Sequence, residues 1–258
     1  MTVSGKDTTL LYDWSNLSKP LHKLEQQTQK VWWDQEGNTV VISTGDKFNV
    51  YQYNKKNYAL TEILQVNDRV TSGCFIGSIF YYMNKGGKIF FSLLGKEFFF
   101  CNADKKQFIL GGVEQQSRLY LFDRTNSIYS LYIPFEMINN VSKFVSGQLK
   151  AEPEIPEEFK NRIAKCYHSF NLLKEAYRLT SNHDHKFDLA LALGYTRDGT
   201  FLLIEAYKIA MNNNMNQKIK LIGDLSLKKG EIELAIECFE KIDDLGSLLM
   251  IYSSLQLG

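Results

Sequence analysis

The stretch IKLIGDLSLKKGEIELAIECFEKI, residues Ile219–Ile242, decides how the second half of this chain is expected to fold. It has the spacing of a tetratricopeptide-type hairpin, in which small residues lie where two helices cross. Gly223 and Ala235 occupy those positions and would let the two helix axes approach closely. Gly230 follows the first helix and can adopt the positive φ that ends it. The stretch therefore predicts two antiparallel helices joined by a tight turn.

The seam between these two helices needs large apolar side chains. Ile232 and Phe239 are predicted to fill it. Ile219 stands where the repeat usually carries a large aromatic residue, which is the one departure from the pattern. Two helices of an ordinary bundle are the alternative interpretation.

A second copy of the first helix follows, with the sequence SLLMIYSSLQLG, and it places Gly258 where Gly230 stood. Helical repeats bury their apolar faces on their neighbours. The chain is therefore expected to be a fragment that stops inside a repeat of a longer solenoid. The apolar face expected to be left bare consists of Leu248, Leu249, Ile251, Tyr252 and Leu255.

Upstream of Pro134 the chain has short apolar or alternating runs that are typical of strands. Glycine- and asparagine-rich turn signals separate them, and no helical pattern between them could carry a parallel crossover. Antiparallel sheets are therefore predicted. The runs are TLLYDW, KVWWD, TVVIST, KFNVYQY, CFIGSIFYYM, KIFFSLLG, KEFFFCN, QFILGG, RLYLFD and SIYSLYI.

One segment of this β half, from LLYDW to VYQYN, spans about 40–45 residues, the length of a WD repeat. Asp13-Trp14 falls where such a repeat ends its third strand, although in reversed order. The sequence predicts blades of a β-propeller, and roughly 130 residues would supply about three blades. Because closure needs about four or more blades, the β half is also expected to be incomplete.

After Pro134 the apolar period becomes helical. A first helix is predicted over 135–149, and Pro156 followed by Glu157-Glu158 predicts the start of another. Two domains are expected: C-terminal propeller blades at 1–134 and the N-terminal part of an α-solenoid at 135–258. The further helices are predicted at 157–170, 172–180, 184–194, 200–213, 216–229, 231–242 and 245–257.

Charge, cysteine content and hydropathy argue against several classes of function. The formal net charge is +1, which gives no general electrostatic case for nucleic acid or an anionic membrane. Four widely spaced cysteines without a CxxC motif favour reduced, mostly buried thiols in the cytosol. No secretory signal or membrane-spanning run is visible. A soluble, cytosol-facing protein is predicted.

Three short groups of residues carry side-chain or backbone chemistry that could form a site. His183-Asp184-His185 lacks a third ligand at metal spacing, so it is interpreted as a solvated helix start. Cys166 and His168 lie two residues apart on a predicted helix and would not share a face, which disfavours a Cys–His nucleophile pair. The run KGGK, at 85–88, lacks the spacing of a phosphate-binding loop and is predicted to be a hairpin turn.

The lysine pairs at 105–106 and 228–229 are interpreted as exposed, solubilising turns. No catalytic, cofactor-binding or metal-binding residue is predicted, and the protein is predicted not to be an enzyme. Partner-binding residues are not assigned.

Several motifs, taken in their order along the chain, resemble the beta-prime subunits of coatomer, the COPI vesicle coat. The resemblance covers nearly all of the chain, and IPEEFKNRIA favours beta-prime over the alpha subunit. Two features depart from the family: an apparent insertion at Tyr195–Thr200, and Ile219 where the family usually has Trp. The motifs are YDWSNL, VWWDQEGNTVVIST, DRVTSG, FIGSIFYY, RLYLFD, IPEEFKNRIA, HDHKFDLALALG, AYKIA and KGEIELAIECF.

The resemblance implies a structural scaffold in Golgi-to-endoplasmic-reticulum and intra-Golgi transport, cytoplasmic and peripheral on Golgi membranes and COPI vesicles. It implies binding to other coatomer subunits, especially alpha, and indirect recruitment by an Arf-class small GTPase. Cargo tails would be read by a propeller that this chain lacks. The alternatives are another propeller–solenoid scaffold, of the coatomer alpha, intraflagellar-transport or nuclear-pore type, and a hydrolase.

Overall fold

Two sets of secondary structure follow one another in the computed structural model, which describes residues 2–5, 7–12, 17–194 and 200–256. Antiparallel strands come first and helices second, as predicted. The chain forms two compact units, Met1–Glu154 and Ile155–Gly258. Asp13-Trp14, most of the apparent insertion and Gly258 lie outside the described residues.

The sheet unit contains, within the described residues, four antiparallel sheets built from strands consecutive in sequence. The first and last sheets have three strands, β1–β3 and β12–β14, and the two between them have four, β4–β7 and β8–β11. The strands are β1 Thr2–Ser4, β2 Thr9–Leu11, β3 His22–Leu24, β4 Lys30–Trp33, β5 Thr39–Ser43, β6 Phe48–Asn54, β7 Ala59–Val66, β8 Val70–Ile76, β9 Ile79–Asn84, β10 Lys88–Leu93, β11 Lys96–Asn102, β12 Gln107–Val113, β13 Arg118–Asp123 and β14 Ile128–Tyr132.

The expected number of about three blades is wrong, because the described residues form four sheets. The run CFIGSIFYYM is also not one strand. Gly77, with φ of 58°, turns the chain between β8 and β9. The short strands β1 and β3 and the outer strand β7 were not predicted. In β7 exposed polar residues interrupt the apolar pattern, so its sequence lacks the run that marks the inner strands.

Aromatic side chains join the second and third sheets. The ring centroids of Phe48 and Tyr82 are 4.8 Å apart in an edge-on arrangement. Trp32 lies 5.4 Å from Phe80, and both Phe80 and Tyr82 are almost completely buried. Such aromatic pairs add to the stabilisation that burial of apolar area provides. The aromatic density of the sequence therefore belongs to the core between these sheets.

The helix α1, Phe135–Val145, belongs to the sheet unit and is shorter than the predicted 135–149. Phe135 is fully buried, and its ring lies 5.2 Å from that of Tyr81 in the third sheet. On the same helix, Asn139 donates a hydrogen bond of 2.9 Å to Glu114, which follows β12. The helix α1 therefore packs on the third sheet through Phe135 and is hydrogen-bonded to the segment that follows β12.

The second unit consists of helices, and every predicted helix of this region is confirmed to within two residues at each end. Polar side chains begin two of them: Asn182 accepts the N–H of His185 at 2.9 Å, and Asp244 accepts the N–H of Ser247 at 3.2 Å. The helices are α2 Glu157–Ser169, α3 Leu173–Leu179, α4 His183–Gly194, α5 Thr200–Asn212, α6 Asn216–Lys229, α7 Ile232–Lys241 and α8 Leu245–Gln256.

Candidate interaction and chemical sites

The hairpin of α6 and α7 has the close approach that its sequence predicts. Gly223 faces the ring of Phe239, and an added Cβ would come within 2.8 Å of that ring. Ala235 is fully buried, and Gly230 ends α6 in the left-handed conformation with φ of 80°. The prediction for Ile232 is wrong. This residue is the first of α7 and is 37% exposed, so it does not fill the seam as Phe239 does.

The last helix, α8, carries an exposed apolar surface. Two residues of the predicted bare face are not exposed: Ile251 is buried against Ala235 and Phe239, and Leu248 packs on the same cluster. These two side chains turn inward because α8 uses them to pack on α7. Leu245 and Met250 are exposed and were not predicted. The exposed large side chains of α8 are Leu245, Leu249, Met250, Tyr252 and Leu255.

A lysine of α6 connects this helix to α4. Lys218 Nζ lies 2.8 Å from a carboxylate oxygen of Asp184 and 3.7 Å from one of Asp188. It also lies 4.5 Å from the centre of the Phe187 ring, a cation–π distance. The hydrogen bond from Lys218 lowers the pKa of the Asp184 carboxyl. Asp184 therefore forms an ion pair with α6, although its own side chain is 72% exposed.

Two histidines that are distant in sequence meet between α2 and α4. His168 Nδ1 lies 3.0 Å from His185 Nε2, and the ring centroids are 5.2 Å apart. Burial lowers the pKa of His185, and the charges of His168 and Lys165 lower it further, whereas Asp188 opposes them. The sequence predicted a solvated helix start at His183–His185, and it did not reveal the contact between His185 and His168 of α2.

Cys166 does not form a reactive pair with His168. The thiol is 1% exposed, and burial raises its pKa to about 12. Because the thiolate is the nucleophile, a thiol with such a pKa is mostly protonated and unreactive at neutral pH. Cys238 is also buried, and burial raises its pKa to about 12 as well. Both residues are part of helix packing.

The glycine-rich run KGGK forms the turn between β9 and β10, as predicted. Gly87 has φ of 77° there, a value that glycine adopts without steric cost. Within the described residues, no group of three or more His, Cys, Asp or Glu side chains is arranged to hold a metal ion. Among the described helices, none has both the length and the apolar character needed to cross a bilayer.

Comparison with known proteins finds similarity to subunits of coatomer. Residues 133–257 match the family described as COPA/B TPR domain. Coatomer subunit beta'-1 of Oryza sativa subsp. japonica and coatomer subunit beta'-3 of Arabidopsis thaliana are each 26% identical to the chain over 99% of its length. Coatomer subunit beta' of Drosophila melanogaster is 24% identical over 93% of the chain.

The chain spans 28–30% of the length of these relatives. Among solved structures, the computationally designed protein Ika4 superposes on 51% of this chain and 84% of its own, with a TM-score of 0.39 and 13% identity. The matched relatives include both the sheet unit and the helical unit in one alignment. The chain is therefore similar to coatomer beta' subunits over nearly its whole length, and residues 133–257 match the family described as COPA/B TPR domain.

Proposed function

We propose that this chain is a segment of a structural scaffold subunit of the COPI vesicle coat, acting in Golgi-to-endoplasmic-reticulum and intra-Golgi transport. The observation that carries the proposal is the alignment with coatomer beta' subunits over 99% of the chain. The match of residues 133–257 to the COPA/B TPR domain family agrees with this alignment.

The proposed partners are other coatomer subunits, above all the alpha subunit. Helical repeat proteins bind partners through extended surfaces built from successive repeats, and α8 exposes Leu245 and Leu249 at 75% and 72%. An Arf-class GTPase would act on the chain indirectly, through the assembled coat. The proposed location is the cytoplasmic face of Golgi membranes and COPI vesicles.

The proposed role is non-enzymatic, with residues 1–134 as propeller blades and 135–258 as solenoid. The two buried thiols with raised pKa support this role, because they are poor nucleophiles. The histidines His168 and His185 contact each other directly, with 3.0 Å between His168 Nδ1 and His185 Nε2. A hydrolase would instead need a nucleophile with a lowered pKa or an adjacent base.

Reconstitution with a coatomer alpha subunit tests the proposal. The chain is co-expressed with the alpha subunit, and the complex is measured by size-exclusion chromatography with light scattering. We expect a stoichiometric complex. The corresponding segment of the rice beta'-1 subunit serves as the positive control. If that segment forms the complex under conditions in which this chain does not, the scaffold proposal is wrong.

A further inference from the structure

Five cationic side chains line a single cavity of about 320 Å³ in the sheet unit. The other described residues that line it are uncharged, so no carboxylate lies in its wall. All five cationic residues are exposed to solvent. The five are Lys30, Arg69, Lys85, Lys105 and Arg124.

The topology brings these residues together from positions distant in sequence. Lys30 begins β4, Arg69 immediately precedes β8, and Lys105 lies just before β12. These are the first strands of three successive sheets, and β8 contacts both β4 and β12. Lys85 and Arg124 come from the turns that follow β9 and β13. The cavity therefore lies where β4, β8 and β12, the first strands of three neighbouring sheets, begin.

Four of the five cationic residues share a sequence feature: each lies in a turn and directly follows an Asp or Asn. In each of these turns the Asp or Asn side chain accepts a hydrogen bond from a nearby backbone N–H. At Asp104 and Asp123 the donor is two residues further on, as in an Asx-turn. The pairs are Asp68-Arg69, Asn84-Lys85, Asp104-Lys105 and Asp123-Arg124.

The carboxylate of Asp123 is held by hydrogen bonds within its own turn. Asp123 Oδ1 accepts the N–H of Thr125 at 2.8 Å and the N–H of Ser127 at 3.0 Å. Hydrogen bonds from the Thr125 hydroxyl and the Ser127 N–H lower the pKa of Asp123 to about 2. The carboxylate is thus bound within its own turn, while Arg124 lines the cavity.

The five cations are not neutralised by ion pairs. In the part of the chain that the structure describes, the ion pairs involve other lysines and arginines, on β3 and on the helices. Lys30 donates a hydrogen bond to the carbonyl of Thr71, which fixes its ammonium group in the wall of the cavity. Cations gathered in this way repel one another, and a bound anion would relieve that repulsion.

We propose that this cavity binds a multiply phosphorylated anion, either a soluble one or the headgroup of a phosphorylated lipid. Each phosphate monoester carries about −1.5 to −2 charges at neutral pH, so a compact polyphosphate matches several convergent cations better than a single carboxylate does. Arg69 and Arg124 can bind phosphate oxygens in a bidentate way, and the lysines supply point charges. The volume lies at the lower end of the range of small-ligand pockets.

Isothermal titration calorimetry with inorganic tripolyphosphate tests the proposal on the whole chain. The variants Lys105→Gln and Arg124→Gln are compared with Lys106→Gln. Lys106 is the matched control because it lies in the same turn as Lys105 and does not line the cavity. We expect single-site binding that is weakened about tenfold by each of the first two changes and is unaffected by the third. Thermal unfolding of each variant shows that its fold is retained.

Vesicle flotation distinguishes a lipid headgroup from a soluble phosphorylated ligand. Flotation with phosphatidylinositol-bisphosphate vesicles is compared with phosphatidylserine vesicles of equal charge and with the soluble inositol-phosphate headgroup. Selective binding to the bisphosphate vesicles supports a lipid source, and binding of tripolyphosphate or the soluble headgroup without such vesicle binding supports a soluble ligand. Three results would overturn the proposal: no binding of any phosphate probe, an equal loss in Lys106→Gln, or equally tight binding of an acidic peptide with the same charge.

Discussion

The ring of Phe239 fills the space in which a side chain at Gly223 would have to lie. A Cβ atom built on Gly223 would be 2.8 Å from Phe239 Cζ and 3.2 Å from Cys238 Cβ. Phe239 and Cys238 are both fully buried, so neither can move aside into solvent. Glycine is therefore required at this position for packing between α6 and α7.

The change Gly223→Ala should destabilise the protein. Overpacking a close contact costs about 1–3 kcal/mol, and the middle of this range exceeds the gain of about 1 kcal/mol that alanine brings to a helix. We expect a loss of about 1 kcal/mol in the free energy of unfolding, measured by denaturant titration. Gly246→Ala is the matched control, since its nearest neighbour would be 3.6 Å from the new Cβ. If both variants are stabilised, the packing explanation is wrong.

The His168–His185 contact should make stability depend on pH. Burial lowers the pKa of His185 from the usual 6.5, so folding favours its neutral form. The stabilisation is then fully present above pH 6.5 and is lost as the pH falls through the folded-state pKa. The loss should be less than about 1 kcal/mol, because solvent screens a partly exposed pair. Denaturant titrations at neutral and mildly acidic pH measure it.

Variants separate this histidine pair from general acid effects. His185→Gln and His168→Gln should each reduce the loss of stability on acidification, and the double variant should reduce it no more than the larger single effect. Additive effects of the two changes would show that the histidines act independently and that their contact has no role in the pH dependence.

Asn161 of α2 should contribute to stability by holding the segment before α4. Its Oδ1 accepts the Ser181 N–H at 2.9 Å and the Thr180 hydroxyl at 3.1 Å, and Thr180 is buried. Asn161→Ala removes this acceptor, and we expect a loss of about 1–3 kcal/mol in the free energy of unfolding. Asn161→Asp keeps an acceptor oxygen and should lose much less. Equal losses in the two variants would contradict this role.

The contact between Phe135 and the sheets should protect α1 from hydrogen exchange. The ring is fully buried against Tyr81, so Phe135→Ala should cost about 3–5 kcal/mol and speed the exchange of α1 amides. Phe99→Ala deletes a ring that is 47% exposed, and it should cost about 1 kcal/mol or less. Exchange of wild-type α1 as fast as in a free peptide would show that the helix does not dock.

The sequence predicted the helices well because their signals are local. A proline followed by two acidic residues marked the start of α2, and Gly230 marked the end of α6. The sequence also predicted the inner strands from a local signal. Strands buried on both faces, such as β9, read as continuous apolar runs. The outer strand β7 lacks such a run, since one of its faces meets water.

The side-chain clusters could not be predicted in the same way. The partner of His185 lies 17 residues away on another helix, and the cationic cavity collects residues from Lys30 to Arg124. No local periodicity encodes such contacts, because they depend on the register of packed helices and on the order of neighbouring sheets. An Asp or Asn directly precedes four of the five cavity cations, but the same pairing also occurs at Asp46-Lys47 and Asn54-Lys55, which do not line the cavity. The dipeptide alone therefore does not predict the cavity.

Trp32, whose ring packs on Phe80 in the sheet unit, has a practical use in spectroscopy. All three tryptophans of the chain precede residue 34, so tryptophan emission comes from the sheet unit. Circular dichroism at the helical band arises mainly from the second unit, which contains every described helix after α1. The two optical signals therefore follow the unfolding of different halves of the chain. Coincident transitions would indicate one cooperative unit, and separated ones would indicate that the halves melt independently.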